Sequence, residues 1–262
     1  MRQAFQVALG ALALAFCLGG AVEAARTPRP AQADDSAIAA AIANTDRPPA
    51  DREEDSFRKP EAVLRLLGAH PGMHVIDYLA GDGYYSELLA NVAGPKGKVY
   101  VYNNSLYGGF AGAALVKRFG NHRLPNTEVK YSVIADLKLP PKSLDAALFV
   151  MSYHDIYYTP KGGKPLGDAR QLTSALFEAM KPGGVVVVED HVAKEGSDPK
   201  ESVDKLHRID PAVVRRDFEA AGFKYDTASD ALRRPSDDHT LLVFDPKVRH
   251  QTDLFLYRFR KP

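Results

Sequence analysis

Four consecutive valines at residues 185–188 are the sequence feature that constrains the fold most. They follow Lys181-Pro182-Gly183-Gly184, a combination that ends a helix and turns the chain. So dense a run of β-branched residues is typical of a central strand that is buried on both faces. We therefore predict a strand at 185–189 inside a sheet that helices cover on both sides.

The rest of the chain repeats this alternation of strands and helices. Short apolar runs predict further strands at 74–78, 98–103, 129–135, 144–151, 223–229 and 254–260. Helical patterns that separate most of them lie at 60–67, 84–92, 109–119, 167–180 and 211–221. No helix-length pattern separates the last two strands, and an antiparallel neighbour can be reached by a loop alone. We predict an α/β fold with a seven-stranded, mostly parallel sheet whose last strand is antiparallel.

The N-terminal residues differ in character from all that follow. Arg2, an apolar run at 4–20 and the small-residue pattern Val22-Glu23-Ala24 indicate a signal peptide over residues 1–24. This pattern predicts a periplasmic or secreted protein. An uncleaved N-terminal membrane anchor is the alternative, because the apolar run approaches the length that spans a bilayer.

One catalytic domain is the economical interpretation of a chain of 262 residues. Residues 25–44 are predicted to be a tether with a short helix, capped by Asp34 or Asp35. The folded domain is then predicted at 45–262.

Composition limits the classes of partner and chemistry. The 34 Lys and Arg residues are balanced by 33 Asp and Glu residues, so no basic field favours nucleic acid. The single cysteine, Cys17, lies in the predicted leader. A mature chain without cysteine excludes disulfides, thiolate nucleophiles and cysteine-bound metals. A small molecule is the favoured partner, and the oligomeric state is not predicted.

A glycine loop follows the first predicted strand. Gly81 and Gly83 lie where a ligand approaches the backbone at the carboxyl edge of a sheet. The dinucleotide pattern G-x-G-x-x-G requires a third glycine, but Ser86 stands at that position. The loop therefore favours a cofactor that has no pyrophosphate.

Asp77-x-x-x-Gly81-x-Gly83 resembles the first motif of the class I S-adenosylmethionine-dependent methyltransferases, which have a Rossmann-like fold. The resemblance implies that Asp77 and the loop backbone, including Leu79, hold the methionine part of S-adenosylmethionine. Leu79 stands where the common form of the motif has its first glycine. The resemblance also covers the later strands and extends over about residues 60–262.

The same resemblance implies contacts for the rest of the cofactor. Asn103, at the end of the second strand, matches the position that holds the ribose hydroxyls, where the family usually has Glu or Asp. Asn104 is the alternative ribose contact. Asp136 and the backbone amide of Leu137 match the segment that binds adenine. A narrower resemblance, through Leu206-His207-Arg208-Ile209-Asp210 and other short segments, is to a bacterial group of predicted methyltransferases, many with leaders, and implies no substrate.

His154 and Asp155 are the candidate catalytic residues. They follow the fourth strand, where this fold presents side chains to the transferred methyl group, and His154 is the candidate base. Adjacent residues point apart in an extended chain, so Asp155 orients His154 only if the chain bends. The alternative is a hydrogen-bonded loop histidine. Three tyrosines nearby either line an acceptor pocket or pack in the core: Tyr153, Tyr157 and Tyr158.

Two further segments have open interpretations. Glu189-Asp190-His191 ends the fifth strand near His154 and Asp155, and together these residues could bind a divalent metal, as in catechol-type O-methyltransferases, although we predict a site without one. The link at 230–253 is either an ordinary solvated loop or a lid over the acceptor. Its candidate contacts are Arg233, Asp237, Asp238 and His239.

The favoured functional hypothesis is methyl transfer from S-adenosylmethionine to an unidentified small molecule. A non-catalytic exported binding protein on the same scaffold is the alternative, motivated by Leu79, Asn103 and export away from the cytosolic cofactor. A nicotinamide-dependent oxidoreductase is a third hypothesis, which the missing third glycine disfavours.

Overall fold

The computed structural model describes residues 1, 32–131, 139–161 and 163–262. Within them the chain forms one seven-stranded sheet of order β3-β2-β1-β4-β5-β7-β6. The strands are β1 (His74–Tyr78), β2 (Lys98–Asn103), β3 (Thr127–Tyr131), β4 (Leu144–Val150), β5 (Met180–His191), β6 (Lys224–Ser229) and β7 (Leu254–Arg260). The first five pair in parallel. Strand β7 lies antiparallel between β5 and β6, which confirms the predicted fold class.

Eight helices are present in the described part of the chain. They are α1 (Asp35–Ala43), α2 (Pro49–Arg58), α3 (Pro60–Leu67), α4 (Tyr84–Ala93), α5 (Ser105–Phe119), α6 (Ala169–Ala179), α7 (Pro199–Leu206) and α8 (Pro211–Ala220). Helices α2 and α7 were not predicted, because their short sequences are mostly polar and carry few apolar residues. None of the helices among these residues is both long and apolar enough to cross a membrane.

The valine run divides its side chains between the two faces of the sheet. Val185 and Val187 pack in the core that includes α1, α3 and α4, while Val186 and Val188 pack in the core that includes α6 and α8. Alternate strand residues point to opposite faces, so both layers of helices contact the same strand. The prediction that this strand is buried on both faces is confirmed.

Helix α1 is part of the packed structure. The Asp34 carboxylate accepts a hydrogen bond of 3.0 Å from the Ala37 amide and caps the helix, as one of the two predicted caps. Ile38 and Ala41 are buried in the core with α3 and α4. The packed core therefore includes residues before Thr45.

Several predicted boundaries differ from the structure. Helix α6 ends at Ala179, and the segment predicted as a turn at Lys181–Gly184 begins strand β5 instead, at an irregular point of its pairing with β4. Strand β3 begins at Thr127, and the predicted strand residues 132–135 lie outside the described residues. The predicted signal peptide at 1–24, apart from Met1, and residues 25–31 of the predicted tether also lie outside the described residues.

Candidate functional site

Two adjoining cavities lie at the carboxyl ends of β1, β4 and β5. The smaller, of about 150 Å³, is lined by the glycine loop. The larger, of about 480 Å³, is lined by side chains from α2, α5, the chain after β4, the end of β5 and the 230–253 link. Arg58, Tyr107 and Met151 line both cavities. We call the smaller one the loop cavity and the larger one the outer cavity.

The glycine loop needs its two glycines for different reasons. At Gly83 (φ 88°) a Cβ atom would lie 2.7 Å from the Phe119 ring, so helix α5 packs against the loop there. At Gly81 (φ 59°) a Cβ atom would meet nothing within 4 Å, so the backbone is open toward the loop cavity. Leu79 also has a left-handed backbone (φ 53°), although its side chain is buried in the core. The loop keeps a left-handed backbone where the common motif has its first glycine.

Asn103 holds the glycine loop through both groups of its amide. Its Nδ2 donates to the Gly81 carbonyl at 2.8 Å, and its Oδ1 accepts from the Gly81 amide at 3.1 Å. The neighbouring Asn104 caps α5 by accepting from the Tyr107 amide at 2.9 Å. Both candidate ribose contacts are therefore bonded to the backbone, and their contact with a ribose stays a prediction.

Asp77 is buried beneath the loop. Its carboxylate accepts a hydrogen bond of 2.5 Å from the Ser86 hydroxyl. Burial raises the pKa of Asp77 to about 7, against the opposing effect of that hydrogen bond. Asp77 lines the loop cavity, as its predicted role requires.

Arg58 is the basic side chain among the described residues that line the loop cavity. It is the last residue of α2, its Nε donates to Glu54 at 2.5 Å, and its guanidinium lies 4.6 Å from the centre of the Tyr84 ring. Sequence reasoning missed Arg58, because α2 has no apolar helical pattern to reveal it. A cation at this position can pair with a carboxylate.

The two candidate catalytic residues lie together in a short 3-10 turn, His154–Ile156, that supplies the required bend. The main partner of His154 is Asp190: its Nδ1 lies 2.7 Å from Asp190 Oδ1, and its backbone amide donates to Oδ2 at 2.9 Å. Its Nε2 lies 3.5 Å from Asp155 Oδ1. Burial opposes the charged form of His154, but the Asp190 and Asp155 carboxylates outweigh it and raise the pKa of His154 to about 9.

Two further side chains approach the Asp155 carboxylate. The Tyr107 hydroxyl donates a hydrogen bond to Asp155 Oδ2. His207, which follows α7 with a left-handed backbone (φ 50°), places its Nδ1 3.8 Å from Asp155 Oδ1. Sequence reasoning gave His207 no role in the site, because α7 is polar and its position against the 154–156 turn is set by tertiary packing.

Glu189 and His191, the ends of the predicted acidic cluster, line the outer cavity. No group among the described residues forms a hydrogen bond with the buried Glu189 Oε2. Burial raises the pKa of Glu189 to about 8, with Arg58 opposing the shift and Asp190 adding to it. His191 Nδ1 lies 2.9 Å from the Thr252 hydroxyl, and burial lowers the pKa of His191 to about 3.

The link at 230–253 forms one wall of the outer cavity, but none of the four residues expected from the sequence lines it. Asp237 pairs with the buried Arg208 at 2.8 Å, and Asp253 pairs with Arg233 at 2.8 Å and with His239 at 3.2 Å. These pairs fold the link onto the domain. The link residues that line the cavity are Arg234, Val243, Phe244, Arg249, His250 and Thr252.

The three tyrosines divide between the two interpretations. Tyr158 lines the outer cavity. Tyr153 and Tyr157 donate hydrogen bonds to Asp217 on α8 and pack in the core on that face. One tyrosine is thus available to a ligand and two stabilise the contact with α8.

No family model and no curated protein matches this sequence. Solved structures do match the fold. A methyltransferase dependent on S-adenosylmethionine from Aquifex aeolicus superposes with a TM-score of 0.54 at 21% identity, covering 86% of this chain and 97% of its own. The phosphoethanolamine N-methyltransferase 2 of Haemonchus contortus, in complex with S-adenosyl-L-methionine, has a TM-score of 0.58 at 16% identity, with 87% and 57% covered.

The fold of this chain is therefore the Rossmann-like fold of the class I methyltransferases. The same fold likeness extends to the [4+2]-cyclase SpnF, with a TM-score of 0.54 at 14% identity, covering 79% of this chain and 81% of that one. At sequence identities this low, structural likeness establishes the fold alone, so the activity has to be argued from the residues of the site.

Proposed function

We propose that this protein is an S-adenosylmethionine-dependent methyltransferase that acts on a small molecule. The observation that carries the proposal is the junction of the two cavities: a glycine-loop cavity at the carboxyl edge of the sheet opens beside a larger, mostly apolar one. This arrangement places a cofactor and an acceptor next to each other, as a direct transfer requires.

The residues of the loop cavity fit the methionine part of the cofactor. Gly81 leaves its backbone open to a ligand, Arg58 offers a cation to the carboxylate, and Asp77 lies beneath the loop. When bound, S-adenosylmethionine would supply an electrophilic methyl group on a sulfonium, for in-line transfer to a nucleophilic atom of the acceptor with the neutral thioether as the leaving group. The proposed adenine contacts, Asp136 and Leu137, lie outside the described residues.

The outer cavity fits a small acceptor with an apolar or aromatic part. Its volume of about 480 Å³ lies within the range of ligand pockets, roughly 300–1,000 Å³. Five aromatic side chains line it: Phe57, Tyr107, Phe110, Tyr158 and Phe244. Such rings pack against flat or apolar groups. The polar side chains at its base, His154 and Asp155 among them, would orient the acceptor's reacting atom.

Calorimetric titration tests the cofactor proposal. We expect S-adenosylmethionine and its demethylated product to bind one per chain, and Gly81→Val to weaken both, since the added side chain enters the loop cavity. Asp46→Asn, an exposed change outside both cavities, serves as the control. No binding of either compound to the unmodified protein would overturn the proposal.

A non-catalytic binding protein is the second candidate, and one observation favours it. The side chain at the ribose position, Asn103, is bonded to the Gly81 backbone rather than free. If a methylation activity is measured and Asp136→Ala abolishes it, this candidate is rejected. If the demethylated cofactor binds but no methyl group is transferred to any acceptor of a small-molecule panel, this candidate is favoured.

Export is a separate part of the proposal. The leader pattern at 1–24 and the cysteine-free remainder support a periplasmic or secreted protein. Mass spectrometry of the protein recovered from bacterial cells tests it, with an N-terminus at Ala25 expected. Recovery of the intact chain in the membrane fraction would favour the anchor instead.

A further inference from the structure

We propose that His154, Asp155 and His207 bind a divalent transition-metal ion at the base of the outer cavity. Within the described residues, these three offer ligand atoms that all lie within 4.8 Å of one another. All three line the outer cavity. The set departs from the prediction of a metal-free site. It shares His154 and Asp155 with the metal-binding alternative of the sequence analysis, but its third ligand is His207 rather than a residue of Glu189-Asp190-His191.

The two distances from Asp155 to the histidines suit a single ion. Asp155 Oδ1 lies 3.5 Å from His154 Nε2 and 3.8 Å from His207 Nδ1. Two ligands about 2.1 Å from one ion span such distances at angles of roughly 110–130°. The two imidazole rings are perpendicular, with centres 5.5 Å apart, so they approach the common point from different directions.

The proposed ligands have the hydrogen-bond partners that orient the ligands of metal sites. Metal-binding histidines typically bond a carboxylate through the second ring nitrogen, and His154 Nδ1 lies 2.7 Å from Asp190 Oδ1. Ligating carboxylates are in turn hydrogen-bonded, and Asp155 Oδ2 accepts from the Tyr107 hydroxyl. These contacts leave His154 Nε2 and Asp155 Oδ1 directed toward each other and toward His207.

The ligand set identifies the class of ion. Two imidazoles and one carboxylate suit Zn²⁺, Fe²⁺, Co²⁺ or Mn²⁺, whereas Mg²⁺ and Ca²⁺ prefer oxygen ligands throughout. Three protein ligands leave further positions that face the cavity. If the proposed function holds, an oxygen or nitrogen atom of the acceptor would occupy one of them; the binding of the ion does not depend on that function.

Metal titration of the untagged protein, stripped with a chelator, tests the site. Zn²⁺ binding is measured by calorimetry in excess Mg²⁺, and Co²⁺ binding by visible absorption, which reports the ligand geometry. The variants are Asp155→Asn and His207→Asn, the latter because asparagine tolerates the left-handed backbone at that position. His250→Asn is the matched control, since His250 also has a left-handed backbone (φ 63°) and lines the same cavity outside the cluster. Circular dichroism verifies that each variant is folded.

We expect one Zn²⁺ per chain, and a loss of affinity of at least roughly tenfold in both cluster variants, with little change in His250→Asn. Zn²⁺ should also raise the melting temperature of the unmodified protein and not that of the variants. No saturable binding, or equal affinity in the folded cluster variants, would overturn the site. The same samples are also titrated with the demethylated cofactor. Because Zn²⁺ binding and cofactor binding can each fail while the other is observed, the two titrations distinguish a failure of the metal site from a failure of the proposed function.

Discussion

Individual side chains of this protein have hydrogen-bond partners that their positions in the sequence do not indicate. Asn103 stands where the family resemblance implies a ribose contact, yet its amide is bonded twice to Gly81. Asp155 was predicted to orient His154 only if the chain bends there; the chain does bend, yet the closest carboxylate to His154 is Asp190, 36 positions along the chain. The sequence indicated His154 and Asp155 but not Arg58 or His207, because the partners of these side chains come from strands and loops that only tertiary packing brings near.

Asn103→Asp is the informative change at the ribose position. The carboxylate can still accept from the Gly81 amide, but it faces the Gly81 carbonyl, oxygen against oxygen, where the amide donated. We expect a loss of about 1–3 kcal/mol in the free energy of unfolding and weaker binding of the demethylated cofactor. Urea denaturation and calorimetry measure the two effects. Tighter binding at unchanged stability would instead assign this side chain to the ribose.

Glu189 makes stability depend on pH. Its pKa is raised from 4.5 to about 8 by burial, so the folded protein holds a proton that the unfolded chain releases between those values. The contribution of Glu189 to the free energy of unfolding is therefore fully present below about pH 4.5 and is lost as the pH rises toward 8. Asp77, with a pKa of about 7, acts with the same sign.

Glu189→Gln should reduce this dependence without abolishing it. We expect the variant to lose less stability than the unmodified protein between pH 5 and 8, by on the order of 2–4 kcal/mol. Urea denaturation across that range, with a chelator present, measures it. Glu178→Gln, an exposed change on α6, is the control. If the free energy of unfolding changed with pH by the same amount in the Glu189 variant and in the unmodified protein, the prediction would be wrong.

At the scale of elements, the sequence predicted those with an apolar pattern and missed those without one. The strands β1, β2, β4 and β7 and the helix α3 match their predicted ranges closely. The missed helices α2 and α7 are polar, and each ends at a residue of the site: Arg58 closes α2 and His207 follows α7. Arg58 and His207 were therefore missed because the helices that bring them to the cavities were not predicted.

The contact between the glycine loop and α5 gives a prediction from a matched pair of glycines. Both Gly81→Ala and Gly83→Ala place a Cβ atom on a left-handed backbone, at a cost of about 1 kcal/mol. Only at Gly83 does the added atom also meet the Phe119 ring, at 2.7 Å. We expect Gly83→Ala to be the more destabilising by roughly 1–3 kcal/mol. Equal unfolding free energies for the two variants would show that α5 does not pack against the loop in this way.

At the scale of the whole molecule, the alternation of strands and helices was enough to predict the sheet and its antiparallel final strand. The outer cavity was not predictable, because its walls come from segments that are distant in sequence and are joined only in the folded chain. The 230–253 link depends on a buried ion pair, Arg208 with Asp237, that no local pattern indicates.

Breaking that ion pair should loosen one cavity wall. Asp237→Asn leaves the guanidinium of Arg208 buried without its countercharge, which costs on the order of 3–5 kcal/mol. Asp226→Asn is the matched control, because Asp226 pairs with Arg258 and Arg260 where all three side chains are partly exposed. Thermal denaturation compares the two variants. An equally small fall in melting temperature in the two variants would mean that other contacts hold the link in place.

In the proposed function, S-adenosylmethionine binds at the glycine loop and directs its methyl group into the outer cavity. A crystal structure with the demethylated cofactor would show whether it binds there. We expect density for the amino-acid part beside Gly81, Asp77 and Arg58, with the sulfur facing the outer cavity. Density at another surface, or a loop cavity that stays without ligand at saturating concentration, would contradict it.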